Sequence, residues 1–600
     1  MMNPMMKNEP VGTLTNPAGT TTAASTGSAR QRLRSLIGSY LCVLVAVFLL
    51  FGPYLAHFTD SWTRYYMLWQ RRLAWQVLGC MFLLALAWVV VRACLGWFRR
   101  PWLTRAYDHT LVLGLLGGGL TNVVFYTQRP VGYHPAQWGM EVMTCWVLLF
   151  GVVGYSLAKP TSKLVPRVQR IGLALSPMVL ILTFHMLYLR SFPGGFDALP
   201  GPAAHAQFLT ADQDDPPRPI YVFFFDEWSY HRTFQEGALR PGFPHMVDLA
   251  QQSIVCHNAR SAGPCTVESI PRFLYQTDLK VALQDGTVGF CRPNDPSAYR
   301  ASLWEYDGEF VPTRELHSVF SLVAGRDYHT VMVGFGHPFR SWLGNQVGCC
   351  RTYCFEYASP NNSSPLAEFR RHLFKASRYW TDPWSKFVHG KYRVVARKAR
   401  CLSGFQTMEH ELIEFLGASP HNVFAVIHYP APHSPWLFDR AKGTYRAPEM
   451  ISERYDNLEG YQDNLALLDH NIGQFTAALK RAGRFDDALV IMTSDHSWRH
   501  DPDHLSGRIT GSLTHVPLFI KLPGQQRRFD VTDCVESRTL QPLIEYALNM
   551  RRVPGEVERG VQLARGSAET VPPRISLASP NAVGRRGAAA VPAVVGDPES

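Results

Sequence analysis

The amino terminus lacks the features of a cleavable signal peptide. The first 29 residues are rich in Thr, Ala, Gly and Asn, and they contain no short apolar core followed by a small-residue cleavage site. We therefore expect residues 1–35 to form a disordered cytoplasmic tail. The first apolar segment would then act as an uncleaved signal anchor.

The sequence also lacks a nucleic-acid-binding motif, although its formal net charge is +11. The basic residues are spread over short loops, the segment KYRVVARKAR at residues 391–400 and the carboxyl-terminal region. Without a motif, this charge does not indicate binding to DNA or RNA. It fits attraction to an anionic membrane or a phosphate-rich surface polymer, and a solvated basic face is the alternative.

No Cys-x-x-Cys pair accompanies the cysteines at residues 349–354. A zinc cluster of Cys349, Cys350 and Cys354 is disfavoured because adjacent cysteines rarely suit one tetrahedral ion. Of the 12 cysteines, eight follow the apolar first third of the chain: Cys256, Cys265, Cys291, Cys349, Cys350, Cys354, Cys401 and Cys534. An even number permits disulfides in an oxidising compartment, but the pairing cannot be deduced.

Apolar blocks dominate the chain before residue 192. Five of them approach the ~20 residues that a helix needs to cross a bilayer. They cover residues 36–58, 73–97, 109–126, 139–158 and 170–191. The third contains Gly-Gly-Gly at 117–119 and Asn122, which lower its hydropathy, so a re-entrant segment is the alternative there. The blocks predict a multi-pass α-helical membrane domain over residues 36–191.

Basic residues indicate how these blocks are oriented. They cluster before the first block, after the second and around the loop that follows the fourth: Arg30, Arg32, Arg34, Arg99, Arg100, Arg105, Lys159, Lys163, Arg167 and Arg170. Loops rich in Lys and Arg are retained in the cytoplasm. An odd number of spans with the amino terminus inside places everything after residue 191 on the extracytoplasmic side.

The exported part begins with a linker at residues 192–218, which is rich in Pro, Gly and Asp. Strand-like apolar runs follow at residues 219–229, 329–335, 422–429, 488–495 and 516–522, and a helical pattern spans 454–483. Continuous apolar runs are typical of strands buried on both faces of a parallel sheet. We therefore predict an α/β sandwich catalytic domain with a mostly parallel central sheet over residues 219–552, followed by a disordered tail at 553–600.

Polar side chains follow several of these runs. Asp226 and Glu227 end the first, His428 lies at the end of the third, and Asp495 and His496 end the fourth. In an open α/β sheet the ligand site lies outside the carboxyl ends of the strands, so these side chains are expected to meet. Carboxylate and imidazole groups suit Zn²⁺ or Mn²⁺. The alternatives are an Asp-His pair that caps a turn and solvated acids at a loop.

Two further stretches carry possible chemistry. In SAGPCTVESIPRFL, residues 261–274, Thr266 stands at a helix-like start, where backbone N–H groups stabilise an oxyanion or phosphoryl group. Its hydroxyl is a weak nucleophile unless a metal binds the oxygen, and a helix N-cap is the alternative role. In NVFAVIHYPAPHSPW, residues 422–436, His428 and His433 could contact a donor oxygen or protonate a leaving group, or could be structural.

Together with THVPLFIKLPG at 514–524, these stretches resemble the sulfatase-like branch of the alkaline phosphatase superfamily. The shared order is an acid after the first strand, T-x-x-S-x-P, Pro-His-x-Pro, Ser-Asp-His and His-x-Pro, within residues 218–546. The branch includes membrane-anchored phosphoethanolamine transferases and lipoteichoic acid synthases, which also place five spans before an exported catalytic domain. The chain departs from their pattern at Asp226, where Glu is usual, and at Ser497, where Gly is usual.

The resemblance implies roles for the candidate residues. The implied ligands of a divalent metal, Zn or Mn, are Asp226, Thr266, Asp495 and His496, with Glu227 as a further candidate. Thr266 would attack phosphorus. The histidines implied to contact the phosphoryl or head group are His433, His428 and His515.

The resemblance further implies a membrane-anchored transferase that moves a phosphoethanolamine- or phosphoglycerol-type head group. The donor would be a membrane phospholipid, the acceptor a surface glycan or lipid, and the location the inner or plasma membrane. A cell-surface hydrolase of phosphate or sulfate esters is the alternative, and a non-catalytic scaffold is disfavoured by the intact site. A sulfatase that depends on formylglycine is also disfavoured, because Cys265 lacks the Pro and Arg of the C/S-x-P-x-R motif.

Overall fold

The chain divides into two units: a mainly helical one of residues 1–53, 77–183 and 375–380, and an α/β one of residues 54–76, 184–374 and 381–600. Both are seen in a computed structural model. It describes residues 23–57, 71–98, 100–128, 148–156, 163–185, 217–284, 287–293, 308–337, 339–353, 369–370, 373, 395, 398–508, 513–550 and 555–566. The predicted linker at 192–218 lies almost entirely outside these residues.

The helical unit contains helices α1 Ala23–His57, α2 Arg71–Trp97, α3 Pro101–Gln128, α4 at residues 148–156 and α5 Leu164–Phe184. Among the described helices, three are long and apolar enough to cross a membrane: Leu33–Gly52, Trp75–Trp97 and Leu164–Phe184. Large apolar side chains on α2 and α5 face outward, including Leu83 and Ile181. Such surfaces suit hydrocarbon better than water.

The third predicted span lies within α3, where its unusual residues serve helix packing. A Cβ at Gly118 would lie 2.8 Å from Leu49 Cβ, so glycine permits the close approach of α1. The Asn122 amide donates to the Leu49 and Gly118 carbonyls, each at 2.7 Å, and is therefore satisfied without water. The fourth predicted span, 139–158, lies only partly within the described residues.

The predicted disordered tail at 1–35 is wrong from Ala23 onward, because α1 begins there. Its first turns, AASTGSARQR, contain no Pro and continue into the apolar block. Continuity with a stable apolar helix favours helix over coil, since each added residue only extends an existing nucleus.

Fifteen strands are described in the α/β unit. In chain order they are β1 Ile220–Phe225, β2 Phe234–Gln235, β3 Ala238–Leu239, β4 Ile254–Arg260, β5 Lys280–Gln284, β6 Thr287–Pro293, β7 Gly308–Pro312, β8 His329–Phe335, β9 Cys349–Tyr353, β10 Val423–Tyr429, β11 Phe438–Asp439, β12 Thr444–Tyr445, β13 Leu489–Ser494, β14 His515–Lys521 and β15 Phe529–Glu536. Eight of them form the central sheet, in the order β15-β4-β14-β13-β1-β10-β8-β9.

The sheet is mostly parallel, as predicted. Strands β13, β1, β10, β8 and β9 run parallel, whereas β14 is antiparallel to both β13 and β4. The register aligns Phe225 with Tyr429 on one side and with Ser494 on the other. Because these strands end level, the residues that follow them meet at one edge of the sheet.

The helices of this unit are α6 Tyr230–Thr233, α7 Pro244–Ala250, α8 Thr266–Tyr275, α9 Phe339–Leu343, α10 at residues 398–418, α11 Leu458–Arg481, α12 Pro502–Leu505, α13 Gln541–Asn549 and α14 Glu556–Gly566. Two apolar cores flank the sheet, and β1 contributes to both. Val222 and Phe224 pack into one core, while Tyr221 and Phe223 pack into the other. Burial on both faces explains why the strand sequence is continuously apolar.

The prediction missed three strands of the central sheet and the last described helix. Strands β4, β9 and β15 are absent from the prediction because IVCHNAR, CCRTY and FDVTDCVE mix polar and apolar residues and lack an apolar run. The predicted disordered tail at 553–600 is wrong for α14, whose Val561 and Ala564 are buried and whose Gly560 lies against Leu522. Its apolar residues fall on one helical face, a short pattern that the surrounding polar composition obscures.

The close packing of α11 against the loop after β10 predicts how a substitution at Gly460 changes the stability of the protein. A Cβ at Gly460 would lie 2.3 Å from Cγ of the fully buried Trp436, whose indole also donates to the Arg454 carbonyl at 2.7 Å. We expect Gly460→Ala to lower the free energy of unfolding by about 1–3 kcal/mol through overpacking. Thermal and denaturant unfolding of the purified full chain would measure it.

Gly417→Ala is the matched control, because Gly417 is an exposed residue of α10 with nothing within 4 Å of its added Cβ. That variant should be as stable as wild type or slightly more stable. Wild-type stability of Gly460→Ala would contradict the close approach of α11 to Trp436.

Candidate active site

The candidate site lies where β1, β10 and β13 end and where α8 begins. The side chains of Asp226, Glu227, His428, Asp495 and His496 are all buried there. The structure thus brings together the acidic and histidine residues singled out at the strand ends. Each strand end contributes because the register of the three neighbours is level.

A tight turn after β1 separates the two adjacent carboxyl groups. Glu227 has a φ of 64°, an unusual left-handed conformation for a residue other than glycine. The turn is fixed by buried hydrogen bonds: the Trp228 amide donates to Ser494 Oγ at 2.8 Å, and the Tyr461 hydroxyl donates to the Glu227 carbonyl at 2.7 Å. These bonds hold Asp226 and Glu227 in different environments.

Asp495 and His496 are oriented by hydrogen bonds with nearby backbone groups. Oδ1 of Asp495 accepts from the amides of Glu227 at 3.2 Å and His496 at 2.8 Å. Nδ1 of His496 lies 2.8 Å from the Ser497 carbonyl, which can only accept, so Nδ1 carries the proton. This leaves Nε2 of His496 with a free lone pair, 3.4 Å from Asp495 Oδ2 and 3.6 Å from Asp226 Oδ1.

Thr266 is the first residue of α8, and its hydroxyl faces the same nitrogen. Oγ1 of Thr266 lies 3.2 Å from Nε2 of His496. The N-cap position belongs to Cys265, so Thr266 is not the N-cap residue. A Cβ at Gly263 would lie 2.7 Å from Glu268 Cβ, so glycine allows the preceding loop to fold over the first turn of the helix.

The donor set fits a divalent metal. One ligand atom from each of Asp226, Asp495 and His496 lies within 4.8 Å of the others. Within the described part of the chain, Asp226 Oδ1 and Asp495 Oδ2 are buried without a hydrogen-bond partner. Such oxygens are costly unless a cation or donor satisfies them. Two carboxylates and an imidazole suit Zn²⁺ or Mn²⁺.

Electrostatics agree with this assignment. Burial, followed by the charges of Asp495 and Glu227, raises the pKa of Asp226 well above its usual value. Burial would also raise the pKa of Asp495, but His496 and His428 hold it below its usual range. Two such carboxylates cannot both ionise easily in a buried site unless positive charge is added between them.

Glu227 lies outside that group of three ligands. Its Oε1 accepts from Nε of Arg499 at 3.0 Å and lies 4.0 Å from Nε2 of His433. Burial opposes ionisation of Glu227, but His433, His496 and Arg499 lower its pKa overall. Glu227 is therefore an ionised partner of Arg499.

The three candidate substrate histidines have different surroundings. Nε2 of the fully buried His428 lies 3.8 Å from Asp495 Oδ2, and His433 is partly exposed beside Glu227. His515, at the start of β14, hydrogen-bonds with the His257 carbonyl at 3.0 Å and stacks on Tyr230. His428 thus lies beside a candidate metal ligand and His433 lies beside Glu227, whereas the ring of His515 is held by residues of another cluster.

Two residues near the site were missed from the sequence. His337 follows β8, is buried and lies with its ring centroid 5.7 Å from that of His428. The rule that polar residues follow buried strands would have found it, because β8 was predicted. Arg499 had no comparable signal: its position depends on Trp498, which stacks on Tyr461 at 4.1 Å and fixes the loop after His496.

The metal assignment predicts the effect of Asp495→Asn. Loss of an anionic ligand should weaken metal binding by more than the roughly 10–100-fold that loss of an outer-shell partner costs. A chelator should lower the thermal midpoint of wild type, because bound metal stabilises only the folded state, but it should have little effect on the variant. Elemental analysis and thermal unfolding of the full chain would measure both effects.

Asp439→Asn is the control, since Asp439 is a carboxylate in the β11–β12 hairpin paired with Lys442 at 2.9 Å. It should keep wild-type metal content. Unchanged metal content in a folded Asp495→Asn protein would remove Asp495 from the ligand set.

The chain is similar to several solved structures over somewhat more than half of its length. No curated protein matches it. Among solved structures, Ps i-CgsB in complex with k-i-k-neocarrahexaose is 15% identical with a TM-score of 0.37, over 57% of this chain and 74% of that one. The phosphonate monoester hydrolase of Agrobacterium radiobacter is 15% identical with a TM-score of 0.34, over 56% and 74%. The lipoteichoic acid synthase LtaP from Listeria monocytogenes is 13% identical with a TM-score of 0.33, over 56% and 72%.

A family model described as Sulfatase matches residues 220–544, more than half of the 600-residue chain. The match begins at β1 and ends within α13, so it includes every strand of the central sheet and the whole candidate site. The resemblance seen in the order of the sequence motifs is thereby confirmed. The chain belongs to the sulfatase family and is an enzyme of the sulfatase and alkaline phosphatase type, whose members are hydrolases or phosphotransferases.

Proposed function

We propose that the protein is a membrane-anchored, metal-dependent transferase that moves a phospholipid-derived head group through a Thr266-linked intermediate to a surface glycan or lipid. The observation that carries the proposal is the position of Thr266 Oγ1, 3.2 Å from His496 Nε2 at the start of α8. A hydroxyl stands at this point, and the neighbouring Cys265 lacks the motif for conversion to formylglycine.

The first step transfers the head group to the enzyme. The Thr266 hydroxyl gives its proton to solvent, its oxygen forms a bond to phosphorus, and the bond from phosphorus to the diacylglycerol oxygen breaks. The departing oxygen needs a proton, and the partly exposed His433 is placed to supply it. A metal held by Asp226, Asp495 and His496 would stabilise the alkoxide of Thr266 and the charge on the transferring group.

The second step releases the head group from Thr266. A hydroxyl of the acceptor attacks phosphorus, its proton passes to His433, and the Thr266 oxygen departs. If water takes the place of the acceptor, the same site becomes a hydrolase of phosphate or sulfate esters. The family includes such hydrolases, so this is the second candidate function.

A lipid donor would explain the membrane domain, because a membrane anchor keeps the catalytic unit close to its lipid substrate. We propose five spans within residues 36–191, three of them supported by the long apolar helices α1, α2 and α5. The basic loops support an amino terminus in the cytoplasm. The catalytic domain would then follow a linker at 192–218 and lie outside the inner or plasma membrane.

Reporter fusions test this topology. A reporter that is active only after export should be active when fused after residue 200 and inactive when fused in the basic loop near residue 162, because Lys163 and Arg167 retain that loop inside. Enzyme assays of both fusions in intact cells would measure it. The reverse pattern would refute the five-span arrangement.

A trapped intermediate tests the chemistry. After incubation with phospholipid and no acceptor, intact-protein mass spectrometry should show an adduct with the mass of the transferred head group, since a Thr phosphoester is stable enough to isolate. Peptide mapping should place it on residues 261–272. Thr266→Ala should abolish both adduct and turnover, and Thr266→Ser should retain part of each because the hydroxyl survives.

Cys265→Ser is the matched control at the neighbouring position and should keep transfer. Turnover that survives in Thr266→Ala but is lost in a folded Cys265→Ser protein would refute the assignment of the nucleophile. Turnover of water-soluble aryl esters with no lipid adduct would favour the hydrolase instead. Mass spectrometry of surface glycans and lipids from cells with and without the gene would identify the acceptor.

A further inference from the structure

Arg499 is a positively charged residue that has no role in the reaction outlined above. Its Nε donates to Oε1 of Glu227 at 3.0 Å, and its side chain is 41% exposed while that of Glu227 is 1% exposed. Within the described part of the chain, its two terminal nitrogens have no hydrogen-bond partner. The guanidinium group is therefore anchored at one end and open to a ligand at the other.

Arg499 is linked to the metal-binding residues through Glu227. The backbone amide of Glu227, whose side chain accepts from Arg499, donates to Oδ1 of Asp495 at 3.2 Å. Oγ1 of Thr266 lies 3.2 Å from Nε2 of His496, which belongs to the same set of candidate ligands. An anion bonded to Thr266 would therefore lie beside the residues to which Arg499 is linked.

The anchoring of Arg499 is unusually constrained for a partly exposed side chain. Glu227 is buried, has a left-handed backbone and is held by the Tyr461 hydroxyl through its carbonyl. On the other side, Trp498 is fixed in its stack with Tyr461. A guanidinium fork held in advance loses little freedom when it binds a phosphoryl group, and its planar donors match two oxygens at once.

The chemistry of the site calls for such a group. The ligands Asp226 and Asp495 and the nearby Glu227 are all acidic, and they repel an incoming anion unless cations compensate. A divalent metal supplies two positive charges, and a phosphoryl group adds further negative charge as the new bond forms. Arg499 is the described arginine joined to this cluster by a hydrogen bond.

We propose that Arg499 binds the non-bridging oxygens of the transferred phosphoryl group and that Glu227 is the positioning residue that aims it. This inference rests on the proposed function for the identity of the substrate. It also assigns Glu227 a role distinct from that of a metal ligand.

Chemical rescue of Arg499→Ala in the full chain tests the proposal. The rate of adduct formation on Thr266 should fall roughly 10- to 100-fold, the range for loss of a hydrogen bond to a charged group, while metal content stays at the wild-type level. Guanidinium chloride at tens of millimolar should restore part of the rate, and sodium chloride at the same ionic strength should not. Arg499→Lys should retain an intermediate rate, because it keeps the charge but loses the fork.

Arg508→Ala is the matched control, since Arg508 is an exposed arginine paired with Asp503 at 3.2 Å. It should keep the wild-type rate and gain nothing from guanidinium. Glu227→Gln should raise the donor concentration needed for half-maximal rate more than it lowers the maximal rate, because Arg499 keeps its charge but loses its orientation. A loss of rate in Arg499→Ala that follows loss of metal and is not rescued would overturn the proposal.

Binding of inorganic phosphate separates this proposal from the proposed function. Calorimetric titration of the metal-loaded full chain should show phosphate binding at least 10-fold weaker in Arg499→Ala than in wild type, and unchanged in Arg508→Ala. If no lipid adduct forms but this difference holds, the transferase proposal fails and the role of Arg499 stands. If Arg499→Ala forms the adduct at the wild-type rate or binds phosphate normally, the role of Arg499 is refuted and the transferase proposal stands.

Discussion

The level register of β10, β1 and β13 is the constraint on which the candidate site depends. Phe225 is paired with Tyr429 and with Ser494, so the residues that follow the three strands lie at the same level along the edge of the sheet. A shift of one residue in either pairing would turn each side chain of the shifted strand to the opposite face of the sheet. The apolar cores on both faces oppose such a shift, since residues such as Val222 and Phe223 would exchange environments. Packing far from the site thus fixes the distance between Asp226 and Asp495.

Charge balance is the second constraint, and it follows from the first. The register places the carboxyl groups of Asp226 and Asp495 together in the interior, with one oxygen of each lacking a partner among the described residues. Histidine tautomerism then decides what the site can hold, because the proton on Nδ1 of His496 leaves Nε2 as an acceptor. The Glu227–Arg499 pair adds no net charge, yet it brings a guanidinium group to the edge of the same cluster. The arrangement favours a cation in the centre and an anion beside it.

Much of this could be predicted from the sequence, and the rest could not for physical reasons. Buried parallel strands are recognisable in a sequence as apolar runs. Asp226, His428 and Asp495 were therefore predicted to lie at strand ends. Strand β4 was missed because polar residues interrupt its apolar pattern. Arg499 was missed because its place depends on the stacking of Trp498 with Tyr461, a contact between residues 37 positions apart that no local pattern encodes. The left-handed turn at Glu227 likewise depends on hydrogen bonds from distant residues.

The choice between the two adjacent candidate nucleophiles also follows from the fold. Cys265 precedes α8 and packs against the apolar core, and burial together with Glu268 raises the pKa of its thiol to about 11. At neutral pH that thiol stays protonated and is a poor nucleophile. Thr266, one residue later, points its hydroxyl at His496 instead. Successive residues at a helix start face different directions, and here Thr266 faces His496 while Cys265 packs against the apolar core. The hydroxyl of Thr266, and not the thiol of Cys265, is thus the group that packing leaves facing the imidazole of His496.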